Sequence, residues 1–264
     1  MDLGLAGKHA LVTGSTAGIG YAIAKGLATE GASVIVTGRT KTNVDAAVTR
    51  IRQAAADPHV TGIVADCATA AGAKAVFEQV PELDILVNNL GIYGRSSAFE
   101  IDDAEWQRFW EVNVLSGIRL TRTYLPGMRE RGWGRVQFLA SDSAVVIPEE
   151  MVHYGVTKTA LLGVSRGYAK AMAGTGVTVN AVMAGPTHTE GVETFARSLV
   201  GDDLPWEEAQ RRFMREHRPN SLLQRLIEPE EIANMVAYLS SDLASATTGG
   251  ALRVDGGYVD NIVP

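Results

Sequence analysis

The chain has 264 residues, of which 24 are basic and 30 acidic, so its formal net charge at pH 7 is −6. This length suits one large hydrophobic core, and no linker-like stretch divides the sequence. The acidic balance argues against nucleic acid as an electrostatic partner. Cys67 is the single cysteine, which excludes an intramolecular disulfide and fits a reducing compartment.

The sequence carries no pattern typical of export or membrane insertion. Its first residues, Met1 to Lys8, lack the basic segment and apolar core of a signal peptide. No apolar run approaches the roughly 18 residues that a membrane-spanning helix needs. We therefore expect a soluble, cytoplasmic protein with a single domain over residues 1–264.

Short apolar segments alternate with longer segments of helical periodicity. The apolar segments are rich in Val, Ile and Leu without strict alternation, as expected for strands covered on both faces. They predict seven strands, at residues 9–13, 33–37, 60–65, 85–88, 135–140, 178–183 and 251–254. Helices are predicted at residues 19–30, 41–55, 69–80, 103–131, 152–174 and 228–240. This order is typical of a three-layer α/β fold with a doubly wound, mostly parallel sheet.

A glycine-rich turn follows the first predicted strand and opens the first predicted helix. It reads Thr13-Gly14-Ser15-Thr16-Ala17-Gly18-Ile19-Gly20. Glycines in this position permit a tight turn and let backbone amides approach a pyrophosphate at the helix N-terminus. The spacing differs from the standard Gly-x-Gly-x-x-Gly fingerprint. The position of this turn between a strand and a helix nevertheless favours dinucleotide binding over a purely structural role.

Tyr154 and Lys158 are four residues apart and therefore share one face of a predicted helix. An ammonium group near a phenol favours the phenolate and lowers its pKa from about 10. Tyr154 is thus a candidate proton donor and acceptor near neutral pH. The spacing alone also occurs by chance in many helices. Ser141 lies thirteen residues before Tyr154.

Residues 187–225 interrupt the alternation with mixed helix and loop. Insertions of this length often form lids or binding loops; a packing or subunit-contact segment is the alternative. The segment contains four arginines, Arg211, Arg212, Arg215 and Arg218, interleaved with Glu207, Glu208 and Glu216. This charge pattern favours a solvated helix face over an anion site.

Several motifs together resemble the short-chain dehydrogenase/reductase family. They are the glycine-rich turn at residues 14–20, Asn88-Asn89-Leu90-Gly91, Asn113, Ser141, Tyr154-x-x-x-Lys158 and Gly185-Pro186. They occur in the family's order and cover about residues 7–257. The resemblance implies a Rossmann fold, a nicotinamide cofactor and a homotetramer or homodimer.

The resemblance also implies catalytic roles for four residues. Tyr154 would be the general acid/base, and Lys158 would lower its pKa and bind the nicotinamide ribose. Ser141 would hold the substrate oxygen, where charge grows in the transition state. Asn113 would hold a water that links the lysine to solvent.

Cofactor contacts are implied at Gly14, Ser15, Thr16, Gly18, Ile19, Gly20, Arg39, Asp66, Cys67, Asn89, Gly91, Tyr154, Lys158, Thr187 and Thr189. Gly38 stands where NAD-preferring relatives carry Asp, and Arg39 follows it. Because a guanidinium suits the 2′-phosphate, NADP(H) is favoured. NAD(H) stays open, since Ala17 replaces a second basic residue of many NADP-preferring relatives. No metal is expected.

The sequence therefore predicts an NADP(H)-dependent oxidoreductase of the carbonyl reductase type, acting on a secondary alcohol or ketone that is expected to be a medium-sized carbonyl compound. An epimerase or dehydratase on the same scaffold is one alternative, and a catalytically silent nucleotide-binding regulator is another. We expect a largely apolar substrate pocket, lined by Ile92, Tyr93, Val145, Ile147 and Met151. The identity of the substrate is left open.

Overall fold

The computed structural model of the chain describes residues 2–55 and 59–262. Its strands are β1 His9–Val12, β2 Ser33–Gly38, β3 Val60–Val64, β4 Ile85–Asn88, β5 Gly134–Ser141, β6 Val177–Ala184 and β7 Ala251–Val254. They form one seven-stranded sheet in the order β3-β2-β1-β4-β5-β6-β7, and every pairing is parallel. The predicted strands and the doubly wound α/β fold are confirmed, with strand ends shifted by at most one residue.

The helices are α1 Gly18–Thr29, α2 Lys41–Ala54, α3 Ala70–Gln79, α4 Asp103–Trp110, α5 Ser116–Arg131, α6 Val152–Ala171, α7 Glu190–Val200, α8 Trp206–His217 and α9 Pro229–Ser240. The helix predicted over residues 103–131 is interrupted, because a π-helical turn, Glu111–Leu115, joins α4 to α5. Such a turn adds a residue to the helix and often marks a functional position.

The sheet separates two buried apolar layers. On one face α1, α2 and α9 pack through residues such as Ile23, Ile51 and Val236. On the other face α3, α5 and α6 pack through residues such as Leu125 and Leu161. Since both faces of the sheet are covered, its strands need apolar side chains at successive positions. Each fully buried Leu or Ile contributes about 1.5–3 kcal/mol of transfer free energy.

The chain reverses its direction of progression across the sheet at β1, which pairs with β2 on one side and β4 on the other. In open parallel sheets, the connections that follow the two neighbouring strands at such a reversal run to opposite faces of the sheet. They open a crevice beyond the carboxyl ends of these two strands. Here the crevice lies between the glycine-rich turn after β1 and Asn89 after β4. The fold thereby selects this edge of the sheet as the position of a ligand site.

Helices α7 and α8 form a small apolar cluster of their own, separate from the two sheet layers. Its buried members are Ala196, Val200, Ala209, Phe213, Met214 and Leu226. Thr189 caps α7 by accepting a hydrogen bond of 3.2 Å from the amide of Val192.

Over residues 2–55 and 59–262, no helix combines the length and the apolar composition needed to cross a bilayer.

Candidate active site

The N-terminus of α1 is shaped to receive an anion. Gly18 begins the helix with φ +54°, and the preceding Ala17 provides no side-chain cap, nor does the first turn carry an acidic residue. A Cβ atom at Gly20 would collide with the Asn89 side chain and the Gly14 carbonyl. The turn therefore brings backbone amides to a cleft of about 350 Å³ without a side chain in the way.

Ser15 of the same turn points away from the cleft. Its buried hydroxyl donates a hydrogen bond of 2.7 Å to the Val12 carbonyl and accepts one of 3.0 Å from the Thr37 amide. Both bonds join the turn to β1 and β2. The Ser15 side chain thus shapes the turn, and only its backbone is left for the cofactor contact predicted there.

A second cavity, of about 460 Å³, continues the cleft past Gly14 toward the ends of β2 and β3. Its lining includes four of the predicted cofactor contacts, Thr16, Arg39, Asp66 and Cys67. A Cβ atom at Gly38 would lie 2.6 Å from Thr16 Cγ2. Because real Cβ contacts are not this short, a side chain at residue 38 would displace Thr16, whereas Arg39 is exposed beside the cavity.

Lys158 lies at the inner end of the cleft and is 5% exposed. Its Nζ donates a hydrogen bond of 2.7 Å to the Leu139 carbonyl. A Cβ atom at Gly91 would lie 3.4 Å from Nζ, so the absence of a side chain at Gly91 keeps the ammonium accessible from the cleft. Burial lowers the pKa of Lys158 to about 8, because a desolvated ammonium is disfavoured.

The effect of Lys158 on Tyr154 differs from the prediction. Burial is the largest influence and raises the pKa of Tyr154, while hydrogen bonding to Ser141 lowers it to a lesser degree. The Lys158 ammonium lies 5.6 Å from the centroid of the Tyr154 ring and bonds to a backbone carbonyl instead of the phenol. The predicted lowering of the Tyr154 pKa by Lys158 is therefore wrong for this arrangement.

Ser141 is held by an acidic neighbour that the motif analysis missed. Its hydroxyl donates a hydrogen bond of 2.8 Å to Asp142 Oδ1 and accepts one of 3.1 Å from the Ser143 amide. Asp142 is 4% exposed, and its Oδ2 has no hydrogen-bond partner among the described residues. Burial raises the pKa of Asp142. The sequence did contain one sign of this neighbour, because an acidic residue directly follows an apolar strand.

Asn113 lies in the π-helical turn and connects two segments of the site. Its Oδ1 accepts a hydrogen bond of 2.7 Å from the Ile92 amide, and its Nδ2 donates to the Ile92 carbonyl at 2.9 Å. Nδ2 also donates to the Thr157 hydroxyl at 3.0 Å. The side chain thereby fixes the segment after β4 against α6, next to Lys158. The predicted bound water at Asn113 stays a prediction.

Tyr154 and Ser141 line a third cavity, of about 100 Å³, which adjoins the cleft at Ile19 and Tyr93. Of the predicted apolar lining, Tyr93 and Met151 are present. Val145 and Ile147 are instead 40% and 42% exposed and, with Ile92, do not line this cavity. The remaining walls come from Asp142, Ser143, Gly185, Pro186, Thr187, Val192, Phe195, Phe213 and Arg218.

The segment after β6 supplies the two predicted threonines to different cavities. Thr189 borders the large cleft. Thr187 borders the small cavity, and its hydroxyl donates a hydrogen bond of 2.9 Å to the Gly185 carbonyl.

Within residues 2–55 and 59–262, no group of three or more His, Cys, Asp or Glu side chains is arranged to hold a metal ion.

Arg218 corrects the prediction of a solvated charged face for α8. Arg212 does follow that prediction, pairing with Glu216 at 3.0 Å on the helix surface. Arg218 comes directly after the last residue of α8 and lines the cavity that holds Tyr154. The spacing of these arginines in the sequence could not distinguish the cavity residue Arg218 from the surface residue Arg212. The helix ends just before Arg218, and the chain changes direction there.

Comparison with known proteins places this geometry in a family. The family model described as Enoyl-(Acyl carrier protein) reductase matches residues 14–259. The uncharacterized oxidoreductase YvaG of Bacillus subtilis is 51% identical over 263 residues, covering 99% of this chain and 100% of the relative. D-beta-hydroxybutyrate dehydrogenase of Cupriavidus necator is 34% identical, covering 97% of this chain and 99% of the relative.

The fold also has counterparts among solved structures. The crystal structure of L-sorbose reductase from Gluconobacter frateurii, complexed with NADPH and L-sorbose, superposes with a TM-score of 0.93 at 35% identity. The superposition covers 99% of this chain and all of the reductase. Family model, relatives and structure agree over nearly the whole length. The chain belongs to the short-chain dehydrogenase/reductase family of oxidoreductases.

Proposed function

We propose that this protein is an NADP(H)-dependent carbonyl reductase that interconverts secondary alcohols and ketones, with Tyr154 as general acid/base. One observation carries the proposal: the cavity that Tyr154 and Ser141 line adjoins, at Ile19 and Tyr93, the cleft that ends at Lys158. A proton donor for the substrate thus lies beside a cleft suited to a dinucleotide.

The residues of the cleft fit a nicotinamide dinucleotide. The uncapped amides at the start of α1 suit its pyrophosphate, with Gly14, Gly18, Ile19 and Gly20 allowing close approach. Contacts at Thr16, Asp66, Cys67, Asn89, Gly91, Thr187 and Thr189 complete the proposed set. The cofactor would carry the hydride that the reaction transfers. The NADPH in the L-sorbose reductase structure supports this assignment.

The preference for NADP(H) over NAD(H) rests on two neighbouring residues. Arg39 is exposed beside the outer cavity, where its guanidinium can bind a 2′-phosphate. Thr16 occupies the space that an aspartate at residue 38 would need. The site thereby offers a cation for the phosphate and, at residue 38, no carboxylate for the free ribose hydroxyls.

The pKa values of the two central residues suit the reducing direction. Because burial raises the pKa of Tyr154, its phenol stays protonated at neutral pH and can donate to a carbonyl oxygen. Ser141 holds the same oxygen as its charge develops. A pKa of about 8 lets Lys158 exchange protons near neutral pH. Asn113 fixes the backbone beside Lys158 and completes the proposed catalytic set.

The segment over residues 187–225 is proposed as the substrate-binding insertion of a single domain. Its helices supply Val192, Phe195 and Phe213 to the wall of the substrate cavity. The partner of the protein is then a small carbonyl or alcohol compound. A cytoplasmic location and a homotetramer or homodimer stay predictions.

The proposal is tested by replacing each of two neighbouring tyrosines, whose rings lie 6.3 Å apart. Tyr154→Phe should reduce turnover of a ketone panel with NADPH by about 10²–10⁴-fold and leave nucleotide affinity nearly unchanged. Tyr93→Phe should retain most turnover. Product formed without net nucleotide oxidation would favour an epimerase or dehydratase. Nucleotide binding without any turnover would favour a catalytically silent regulator.

A further inference from the structure

Arg218 is fixed at the wall of the substrate cavity by aromatic neighbours. Its guanidinium lies 5.5 Å from the ring centroid of Phe213 and 5.5 Å from that of Tyr258. Its Nη1 donates a hydrogen bond of 2.7 Å to the His217 carbonyl. Packing between two rings restricts the side chain and keeps its charge on the cavity that Tyr154 lines.

Within residues 2–55 and 59–262, Arg218 forms no salt bridge with a protein carboxylate. Burial raises the pKa of the neighbouring Asp142, and the positive charge of Arg218 offsets part of that rise. Among the described residues, no Asp or Glu oxygen lies within 4.0 Å of it, whereas Arg212 and Arg215 both contact Glu216. The buried Nε of Arg218 also has no hydrogen-bond partner in the part of the chain that the structure describes. A buried N–H group without an acceptor is costly, so this position favours a ligand that brings an acceptor.

We propose that Arg218 binds a carboxylate of the substrate, so that the enzyme interconverts short oxo acids and hydroxy acids. This inference rests on the proposed oxidoreductase function. The guanidinium fork presents parallel N–H donors that match the two oxygens of a carboxylate. The same cavity places Tyr154 and Ser141 beside that charge, which leaves the carbonyl of a short acid within their reach.

The size and charge of the cavity limit the substrate further. A volume of about 100 Å³ and walls that include Met151, Val192 and Phe195 suit a short carbon chain. A phosphate dianion fits less well, because Arg218 is the one cation among the described residues that line the cavity and the buried Asp142 borders the same space. A monoanionic carboxylate can pair with the guanidinium and is repelled less by Asp142 than a dianion is.

The test compares an acid with its neutral ester. The substrates are 3-oxobutanoate and methyl 3-oxobutanoate, and the reaction is followed by NADPH absorbance. Wild-type kcat/KM should be at least about tenfold higher for the acid, and Arg218→Met should lose about 10²-fold for the acid and less than about threefold for the ester. Arg218→Lys should recover part of the loss. Arg215→Met, which removes an exposed charge from the helix that ends just before Arg218, is the matched control.

Binding is measured separately from turnover by titrating butanoate into the enzyme–NADP⁺ complex in a calorimeter. Wild type and Arg215→Met should bind butanoate, and Arg218→Met should not. Equal use of acid and ester by the wild type, or equal loss of both in Arg218→Met, would overturn the inference and leave the reductase proposal standing. Loss of butanoate binding in Arg218→Met, without turnover of any carbonyl by the wild type, would support the carboxylate site at Arg218 and reject both oxo-acid reduction and the reductase proposal.

Discussion

Ser141 donates its hydrogen bond to Asp142 Oδ1 at 2.8 Å, and both side chains are buried at the carboxyl end of β5. The carboxylate therefore determines where the Ser141 proton points. It also acts on Tyr154, because its negative charge raises the pKa of that phenol. Asp142 is thus placed to position Ser141 and to tune Tyr154 without contacting the reacting atoms.

Asp142→Asn should reveal both effects. Removal of the negative charge lowers the pKa of Tyr154, so the pH profile of alcohol oxidation should move to lower pH. Turnover should fall by about tenfold, because an amide holds the Ser141 hydroxyl less firmly. Steady-state kinetics across pH measure both effects. Ser143→Ala, which removes a weaker contact of 3.3 Å to the same carboxylate, should not shift the profile. An unshifted profile in Asp142→Asn would leave Asp142 a structural role only.

Lys158 should make the folded protein less stable at neutral pH. Its pKa is lowered from 10.5 to about 8, so below pH 8 the folded state holds a desolvated charge at a cost of about 3 kcal/mol. Between pH 8 and 10.5 the folded state releases its proton while the unfolded state keeps it. The free energy of unfolding of the wild type should therefore rise over this range.

Lys158→Met should remove that pH dependence. At pH 7 the variant should be more stable than the wild type by about 1–2 kcal/mol, since the Leu139 carbonyl loses its donor and offsets part of the gain. Urea denaturation without added nucleotide, at pH 7 and near pH 10, measures this. Lys170→Met, on the exposed side of the same helix, should leave the pH dependence as in the wild type. If the free energy of unfolding changed with pH in the same way for the wild type and Lys158→Met, the assigned pKa of Lys158 would be contradicted.

Gly38→Asp should reverse the nucleotide preference. The new Cβ would lie 2.6 Å from Thr16 Cγ2, so we expect a loss of about 1–3 kcal/mol of stability from overpacking. The carboxylate should weaken NADPH binding by about tenfold or more, through repulsion of the 2′-phosphate, and spare NADH. Arg39→Met should weaken NADPH binding alone. An unchanged ratio of NADPH to NADH affinity in both variants would reject the NADP(H) assignment.

Phe213→Ala should affect the substrate end of the site without affecting the nucleotide end. Phe213 is 1% exposed within the separate cluster of α7 and α8, where its removal costs about 3–5 kcal/mol of local packing. The KM for ketone substrates should rise by at least about tenfold, with nucleotide affinity unchanged within about twofold. Phe99→Ala, at a fully exposed position, is the control. An equal loss of nucleotide affinity would mean that the insertion supports the whole cleft.

Local patterns were enough to predict the sheet and most of its helices. Strands covered on both faces leave apolar runs, and helices leave a 3.6-residue period, so each element is visible in its own segment. The split of the helix over residues 103–131 was not visible in this way. The split falls at Asn113, whose side chain bonds to Ile92 and Thr157, and these partners belong to other segments of the chain.

The sequence by itself determined the family and the doubly wound sheet, and it predicted the candidate catalytic residues Asn113, Ser141, Tyr154 and Lys158, because their motifs are short and ordered along the chain. Only the tertiary structure decided that the pKa of Tyr154 is raised and that of Lys158 lowered. Desolvation depends on atoms that distant segments bring around a group, and spacing carries no record of them. The same holds for Arg218, whose position on the substrate cavity follows from where α8 ends and packs.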